Sequence, residues 1–422
     1  MPEASRAEVN SSRTGNILLT RLPVIAALLI VLGGLAIGVH RYHHLPQAWQ
    51  AFGVPALNFD FADTRTITHS IDCVLSGRDP YVDRSFDPWH RLYNYPPIWL
   101  QLRHLGVRST STRWVAGFFW AAFFCSCLAL FRARNWITAA TILLALLSWP
   151  VLFALERGNT DLLIFAMLTL GALWMARGGR LVSTLWQGVL IVVLTILKIF
   201  PVVTVVAMLR SRKMVWKASI VAIVAVVALA VTSGSELVPT LRNTPQVTFE
   251  SFGSLPLSVR LGHPADRWAI AVILAVAGIL IGLLGRDPLT RRLPRIDLYS
   301  ARGFIAAAGL IIYGFVFFFG SSYDYRLIFL LCPLMYLVEE LNQRITIGPL
   351  AASIVLLLFL WCARFEPGGP KEFLDAVVFL GTCAWLANTL RHTLGPHSPD
   401  RPTARMDEER PPLVSGANAM FQ

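Results

Sequence analysis

The chain of 422 residues is 55% hydrophobic and only 15% charged, with a positive mean hydropathy, which excludes an ordinary soluble globular domain. Its formal net charge of +12 comes from basic residues in short clusters between apolar segments, and this arrangement argues against a nucleic-acid partner. All cysteines except Cys73 fall inside apolar segments, so we expect neither a structural disulfide nor a cysteine metal site.

Uncharged apolar stretches of roughly 18 to 22 residues recur along the chain, a length that lets a helix cross the hydrocarbon core of a bilayer. Strand-like alternation is absent, and a helix satisfies its own backbone polar groups in lipid. We therefore expect an all-α integral membrane protein with about twelve (11–13) transmembrane segments. The clearest predicted segments lie at 16–39, 114–131, 136–154, 160–176, 216–233, 267–285, 302–319, 327–339, 345–363 and 374–390.

The region between Arg180 and Arg210 is apolar but is interrupted by Lys198 and Pro201. A proline inside a helix removes a backbone hydrogen bond and clashes with the preceding turn. We therefore predict two short helices here, with their shared apex facing outward.

Basic clusters indicate the orientation of the chain in the membrane. Arg6, Arg13 and Arg21 precede the first apolar segment, which predicts a cytoplasmic N-terminus and a retained anchor. The later clusters alternate as inside turns, so we expect both termini in the cytoplasm. Only four of the 37 basic residues are lysine, and this arginine bias is typical of a GC-rich bacterial genome, so we expect a bacterial cytoplasmic (inner) membrane. The predicted organisation is a disordered tail at 1–14, a membrane domain at 15–392 with outer loops at 40–113 and 234–266, and a disordered tail at 393–422.

This topology predicts that polar motifs from distant parts of the chain meet at the outer face. The first long loop, the turn from Glu156 to Asp161, Lys198, and the segment from Tyr323 to Arg326 all fall on the same side. The helix assignment does not use their chemistry. Their convergence therefore independently favours a site at the outer face.

The first long loop also carries a recognisable order of motifs. Asp63 follows the first helix, Gly77-x-x-x-Tyr81 comes about 14 residues later, and Tyr93-x-Tyr95-Pro96-Pro97 closes the loop. This order resembles the polytopic GT-C glycosyltransferases and is most similar to glycosyltransferase family 87, known for polyprenyl-phosphate-mannose-dependent mannosyltransferases. The Pro96-Pro97 step predicts the start of a short amphipathic helix along the membrane.

The resemblance extends over roughly residues 58–330. It includes Gly158-Asn159 at a helix start, Leu197-Lys198 before Pro201, and the Tyr323 to Arg326 segment. The sequence departs from the family after Asp63, where Thr64-Arg65-Thr66 lacks the expected aromatic residue. That departure indicates an acceptor different from that of the mannosyltransferases.

The resemblance implies an inverting, metal-independent transfer in which a loop carboxylate deprotonates an acceptor hydroxyl. Asp63 is the first candidate for this base, because a sugar hydroxyl is a poor nucleophile and needs a positioned proton acceptor. Asp60 is the second candidate, since it lies three residues away and could share a helical face with Asp63. In the alternative interpretation, either carboxylate caps a loop helix or pairs with Arg65.

A departing polyprenyl phosphate needs fixed cations, and we expect Arg326, Lys198 and Arg157 to supply them. Each has a structural alternative: Arg326 could pair with Asp324, Lys198 could extend to the membrane surface, and Arg157 could pair with Glu156. The predicted sugar or lipid contacts are Tyr323, Tyr325, Tyr95, Tyr81 and Asn159.

We expect no cofactor and no bound metal. His40, His43 and His44 stand together after the first helix, where such residues are more often interfacial anchors than ligands. The expected partners are the bilayer, a polyprenyl-phosphate sugar and a cell-envelope glycan or glycolipid acceptor. The alternatives are a transporter or flippase, which also uses broken helices, and a lipid-linked oligosaccharide ligase, for which Arg242, Arg260 and His263 are candidates.

Overall fold

The computed structural model describes residues 3–175, 177, 179–284, 292–365 and 370–394, without the side chains of residues 3–19, 180 and 181. The described part is built almost entirely of helices, with one short pair of strands. The predicted all-α fold class is therefore confirmed.

The α-helices, numbered in chain order, are α1 Glu3–Tyr42, α2 Leu45–Ala51, α3 Ala62–Leu75, α4 Thr112–Leu130, α5 Trp136–Leu146, α6 Trp149–Arg157, α7 Asp161–Met175 and α8 Arg180–Leu197. They continue with α9 Val215–Ser233, α10 Leu237–Arg242, α11 Ser254–Arg260, α12 Arg267–Leu284, α13 Ala301–Phe318, α14 Leu331–Gln343, α15 Ile347–Cys362 and α16 Pro370–Leu394. Short 3-10 helices span Pro97–Leu105, Ser109–Ser111, Phe200–Met208, Arg212–Met214, Gly234–Glu236, Pro264–Asp266 and Asp324–Leu330.

Six described helices are long and apolar enough to cross a bilayer: Thr20–Tyr42, Ser109–Leu130, Arg212–Arg242, Pro264–Leu284, Ala301–Phe318 and Pro370–Leu394. The pair α5 and α6, bent by 41°, makes a seventh if it counts as one span. Several shorter apolar helices accompany them. The protein is thus a multi-pass membrane protein, and the expected count of about twelve segments stays a prediction.

One predicted interruption of the helices is present, and a second interruption was not predicted. Helix α8 ends at Leu197, Lys198 has extended backbone, and a 3-10 helix begins at Phe200, as expected from Pro201. The predicted helix at 327–339 is divided into a 3-10 turn and α14.

The first long loop is folded, as predicted, around short helices. It contains α2, α3 and the 3-10 helix Pro97–Leu105, in which Trp99 and Leu100 are buried. The Trp99 indole donates a hydrogen bond of 2.9 Å to the Leu197 carbonyl at the end of α8. The loop is therefore packed onto the helix ends.

The bundle has two chemically different ends. Asn342 Nδ2 donates to the Arg132 carbonyl (2.6 Å), and Tyr299 donates to the Arg210 carbonyl (2.9 Å), so these turns lie together. We call this the basic end, defined by the turns at Arg132, Arg210 and Asn342. The opposite end, where α6 and α8 finish and α7 begins, is called the cavity end.

The single described β-pair lies at the cavity end. Strand β1 (Ser251–Phe252) runs antiparallel to β2 (Ser322–Tyr323), with Ser251 opposite Tyr323. It joins the second long loop to the segment after α13. Residues 3–14 of the predicted N-terminal tail are described only as backbone within α1, without their side chains. Residues 395–422 lie outside the described residues. The disorder expected for both tails therefore stays a prediction.

Candidate active site

Asp63 is held at the start of α3 by local backbone geometry and by packing. Phe61 adopts a left-handed conformation (φ +55°) immediately before the helix, and the Asp63 residue is 9% exposed. The next residue, Thr64, donates its hydroxyl to the Gly158 carbonyl. A Cβ at position 158 would lie 2.5 Å from that hydroxyl, so glycine permits the close approach of α3 to the α6–α7 turn.

The Asp63 carboxylate has two described partners from outside its own helix. The amide of Asn159 donates to one oxygen, and the Arg91 guanidinium lies 3.6 Å from the other. Arg65 instead contacts the Asp60 carbonyl and His69. The alternative interpretation of Asp63 as a partner of Arg65 is therefore wrong.

Arg91 is shared between two carboxylates of the first long loop. It binds Asp87 at 2.8 Å and Asp63 more loosely, and it also donates to Thr66. Burial by itself raises the pKa of Asp87, but the hydrogen bonds and charge of Arg91 lower it by more, so the net pKa lies below its ordinary value. Asp87 thus takes most of the Arg91 interaction, and Asp63 remains the weakly held carboxylate.

Asp161, the first residue of α7, is buried and shared by two cations. Lys198 Nζ lies 2.6 Å from Oδ1, and Arg326 Nε lies 3.4 Å from Oδ2. Asp161 is the one carboxylate within ion-pair distance of either cation in the described part of the chain. Two cations and one carboxylate leave one formal positive charge at this position.

Neutral side chains fix the positions of these two cations. Lys198 also lies 3.1 Å from the Thr160 hydroxyl and 3.5 Å from Asn159 Oδ1. Arg326 donates to the Ser322 hydroxyl (2.7 Å) and stacks over the Phe200 ring at 5.4 Å. The interpretation of Arg326 as a partner of Asp324 is wrong, because Asp324 pairs with Lys371 at 2.7 Å, outside this cluster.

Arg157 stands between the α6 end and the second long loop. Its guanidinium lies 3.2 Å from Glu156 and 3.8 Å from Glu250, and it stacks over Phe153. The expected structural pairing with Glu156 is therefore present. Burial raises the pKa of Glu250, and the charge of Arg157 offsets only part of that rise.

These groups meet around one cavity of about 870 Å³ at the cavity end. The predicted site residues that line it are Asp63, Arg157, Arg326, Tyr81, Tyr95, Tyr323 and Tyr325. They come from the first long loop, the end of α6 and the segment after β2. The cavity is large enough for a sugar and part of a second substrate.

The tyrosines form aromatic parts of the cavity wall. Tyr323 stacks on Tyr325 with ring centroids 5.5 Å apart. Tyr81 donates its hydroxyl to the Tyr95 carbonyl (3.1 Å), which fixes two parts of the first long loop. Burial, followed by the charge of Asp63, raises the pKa of Tyr323, so that its hydroxyl stays protonated as a donor.

Three predicted site residues do not line the cavity among the described residues. Asp60 pairs with Arg113 at 2.8 Å on the other side of the α3 start. Lys198 is buried behind Asp161, and Asn159 lies between Asp63 and Lys198 as a fully buried bridge. Lys198 and Asn159 therefore contact other side chains of the site rather than the cavity space, whereas Asp60 contacts Arg113 outside the site.

Sequence analysis did not predict several of the residues that line the cavity. The main ones are Thr66, Arg84, His90, Arg91, Arg242, Asn243 and Ser322. Arg242 had been considered only for the ligase alternative. Asp87 and Arg91 are four residues apart, and this spacing was the sequence signal for an ion pair between them. The pair forms here outside a regular helix.

In the described part of the chain, no group of three His, Cys, Asp or Glu side chains is arranged to hold a metal ion. The expectation of a metal-independent reaction stays a prediction.

Comparison with known proteins gives one family match. The model of glycosyltransferase family 87 matches residues 93–312, more than half of the chain. The matched region contains Tyr95, Arg157 and Lys198, whereas Asp63 and Arg326 lie on either side of it. No curated protein and no solved structure matches the chain.

Proposed function

The chain belongs to glycosyltransferase family 87, and on that premise we propose that it transfers one sugar, a hexose such as mannose or a pentose, from a polyprenyl-phosphate donor to a cell-envelope glycan or glycolipid. The transfer inverts the anomeric carbon and needs no metal. The observation that carries this proposal is that one carboxylate and two guanidinium groups, from Asp63, Arg157 and Arg326, line the same cavity.

Asp63 is the proposed base. Its partner Arg91 is 3.6 Å away and is already bound more closely by Asp87, so one formal negative charge remains between the two carboxylates. A carboxylate that has no close cation of its own and that lines a cavity can accept a proton from a substrate hydroxyl. Asp60 lacks this access, because it is paired with Arg113 and does not line the cavity.

Arg326 and Arg157 are the proposed donor-phosphate ligands. Asp161 neutralises only one of the two cations bound to it, so the surplus positive charge of Lys198 and Arg326 reaches the cavity through Arg326. A buried cation without a full counter-charge is costly, and a phosphate would supply that charge. In this arrangement Lys198 acts through Asp161 as a positioning residue, and Asn159 positions Asp63.

The proposed reaction balances in a single displacement. The acceptor oxygen attacks the anomeric carbon from the side opposite the phosphate, and its proton passes to Asp63. The bond between the anomeric carbon and the phosphate oxygen breaks, and the electron pair leaves with the polyprenyl phosphate, next to Arg326 and Arg157. Fixed cations lower the energy of that developing charge without reorganisation.

Tyr323 and Tyr325 are the proposed sugar platform, because their stacked rings stand beside Arg326 on the cavity wall. The polyprenyl chain would reach the cavity from the bilayer beside the helix ends. We propose that the cavity opens at the outer face of a bacterial cytoplasmic membrane, as the distribution of basic turns predicts.

The test uses the purified full chain in lipid nanodiscs with a panel of radiolabelled polyprenyl-phosphate hexoses and pentoses. We expect sugar transfer to an envelope glycan or glycolipid extract. Asp63→Asn should lower turnover by about 10²- to 10⁴-fold, the usual contribution of a general base. Asp60→Asn is the matched control in the same loop and should retain turnover close to that of the unmodified protein.

Near-normal turnover in Asp63→Asn would overturn the assignment of the base. A parallel liposome assay separates the transporter alternative from the enzyme. If labelled donor crossed the bilayer unaltered and no sugar reached any acceptor, the transferase proposal would be wrong.

A further inference from the structure

The cavity wall carries far more positive than negative charge. Among the described residues it is lined by five arginines but by only one carboxylate, that of Asp63. A neutral sugar needs hydrogen-bonding groups and aromatic faces, not several guanidinium groups. The excess of arginine therefore indicates that more than one anionic group enters the cavity.

The five arginines fall into two sets. Arg91, Arg157 and Arg326 each have a carboxylate within ion-pair distance and lie close to the proposed reaction centre. Arg84 and Arg242 line the same cavity, are exposed, and have no carboxylate within that distance in the described part of the chain. These two guanidinium groups are available to a ligand.

Arg84 and Arg242 come from different loops that are bound to each other. Arg84 belongs to the first long loop, and Arg242 ends α10 in the second. Asn243, directly after Arg242, donates from Nδ2 to the carbonyls of Tyr81 (3.1 Å) and Tyr93 (3.0 Å). The loop segments that carry these two exposed arginines are therefore bound to each other at one part of the cavity, which we call the cavity mouth.

Resting on the function proposed above, we propose that Arg84 and Arg242 bind an anionic group of the acceptor, a phosphate or a carboxylate, at the cavity mouth. The donor contributes one phosphate, and the Arg326 position already accounts for it. The acceptor is the second molecule that must enter the cavity. Its anion at the mouth would orient the attacking hydroxyl toward Asp63.

The test measures binding and needs no transfer reaction. The probes are glucose 6-phosphate, glucuronate and glucose, which share a ring and differ in charge. They are titrated calorimetrically at low salt into the full chain in phosphatidylcholine nanodiscs saturated with a polyprenyl phosphate, which occupies the proposed donor-phosphate position at Arg157 and Arg326. We expect at least one anionic probe to bind about tenfold more tightly than glucose, with a preference that weakens as salt rises. Whichever anion binds more tightly identifies the phosphate or the carboxylate as the recognised group.

Arg84→Gln and Arg242→Gln should each reduce this preference, and the double variant should abolish it. Arg78→Gln is the matched control, because Arg78 is an exposed arginine of the same loop that pairs with Asp83 and does not line the cavity. Equal binding of all three probes by the unmodified protein, or a preference that survives in the double variant, would overturn the inference.

The outcome is separable from that of the function proposed above. Transfer at full rate to a neutral acceptor, without charge preference in binding, would reject the anion site and leave the transferase intact. Charge-selective binding without any transfer from the donor panel would do the reverse.

Discussion

Two buried lysine–aspartate pairs in this protein have nearly the same local geometry but different surroundings. Lys198 lies 2.6 Å from Asp161, and Lys371 lies 2.7 Å from Asp324. All four side chains are at most 9% exposed. Distance and burial alone therefore do not distinguish them.

The neighbours of each pair make the difference. Asp161 binds a second cation, Arg326, which lines the cavity, so the first pair has a surplus of positive charge with an open side. The second pair, Lys371 with Asp324, does not line the cavity. It has a surplus of acid, because Glu372 and Asp375 are buried beside Lys371 on α16.

Asp375, one of the surplus carboxylates, is hydrogen-bonded by other groups of the fold itself. Asp375 accepts hydrogen bonds from the Tyr313 hydroxyl (2.7 Å) and from the Gly253 backbone amide (2.8 Å). Together with Lys371 and Asp324, these bonds join α16 to α13 and to the β1–β2 region. Of these two buried pairs, only the Lys198–Asp161 pair adjoins a side chain, Arg326, that lines the cavity.

The largest effect should come from breaking the Lys371–Asp324 pair, which we call the closed pair because it does not line the cavity. Lys371→Met leaves Asp324 buried without a cation, and removal of one partner of a buried pair costs about 3 to 5 kcal/mol. We expect this loss in the free energy of unfolding, measured by thermal unfolding in detergent. The double variant Lys371→Met with Asp324→Asn should recover most of it, because Asp324 is then no longer a buried charge without its cation.

The free energy of unfolding of Lys371→Met could instead lie within about 1 kcal/mol of that of the unmodified protein. In that case the contacts that join α16 to α13 and to the β1–β2 region would not support the fold. If Lys371→Met were equally stable and had a raised KM for the donor, the closed pair would belong to the binding site, and the contrast between the two pairs would fail.

The second effect concerns the Lys198–Asp161 pair, which we call the open pair because its second cation, Arg326, lines the cavity. Arg326→Gln leaves Lys198 and Asp161 as a neutral pair. The free energy of unfolding should therefore stay within about 1 kcal/mol of that of the unmodified chain. The surplus charge at the cavity is lost, and we expect KM for the polyprenyl-phosphate donor to rise by about 10- to 100-fold. Steady-state kinetics with varied donor concentration measures this change.

Arg302→Gln is the control for the Arg326 variant. Arg302 pairs with Glu339 at 2.9 Å toward the basic end, away from the cavity. Its substitution should leave KM for the donor unchanged. A similar rise of KM in both variants would show that the effect comes from general loss of helix packing.

The smallest effect is expected at a third pair, Asp87 with Arg91, in the first long loop. The pKa of Asp87 is below its ordinary value, so its contribution to stability is complete above the unfolded-state pKa of about 4 and is lost as pH falls through the folded-state value. Arg91 is one-third exposed, and we expect a contribution of only about 1 kcal/mol.

Thermal unfolding of the unmodified protein and Asp87→Asn between pH 7 and pH 3 measures this contribution. The difference between them should be constant at neutral pH and should shrink toward zero in acid. A difference that grew as pH fell would contradict the assigned sign of the pKa shift.

The sequence by itself determined the features that depend on local composition. Long apolar runs determined the membrane class and the all-α fold, and Lys198 with Pro201 determined the break after α8, because a proline cannot continue a helix. The order of motifs in the first long loop pointed to the family. The polar motifs that the predicted topology placed on one side of the membrane gave seven residues that line the cavity.

Only the tertiary structure decided which charges pair with which. The sequence suggested Arg65 for Asp63 and Asp324 for Arg326, both two positions apart, but the partners are Arg91 and Asp161. Residues two positions apart on a helical turn point in different directions, so each side chain meets a partner from another element. Pairing in a folded chain is a competition among all charges within a few ångströms, and those distances arise only when the helix ends come together.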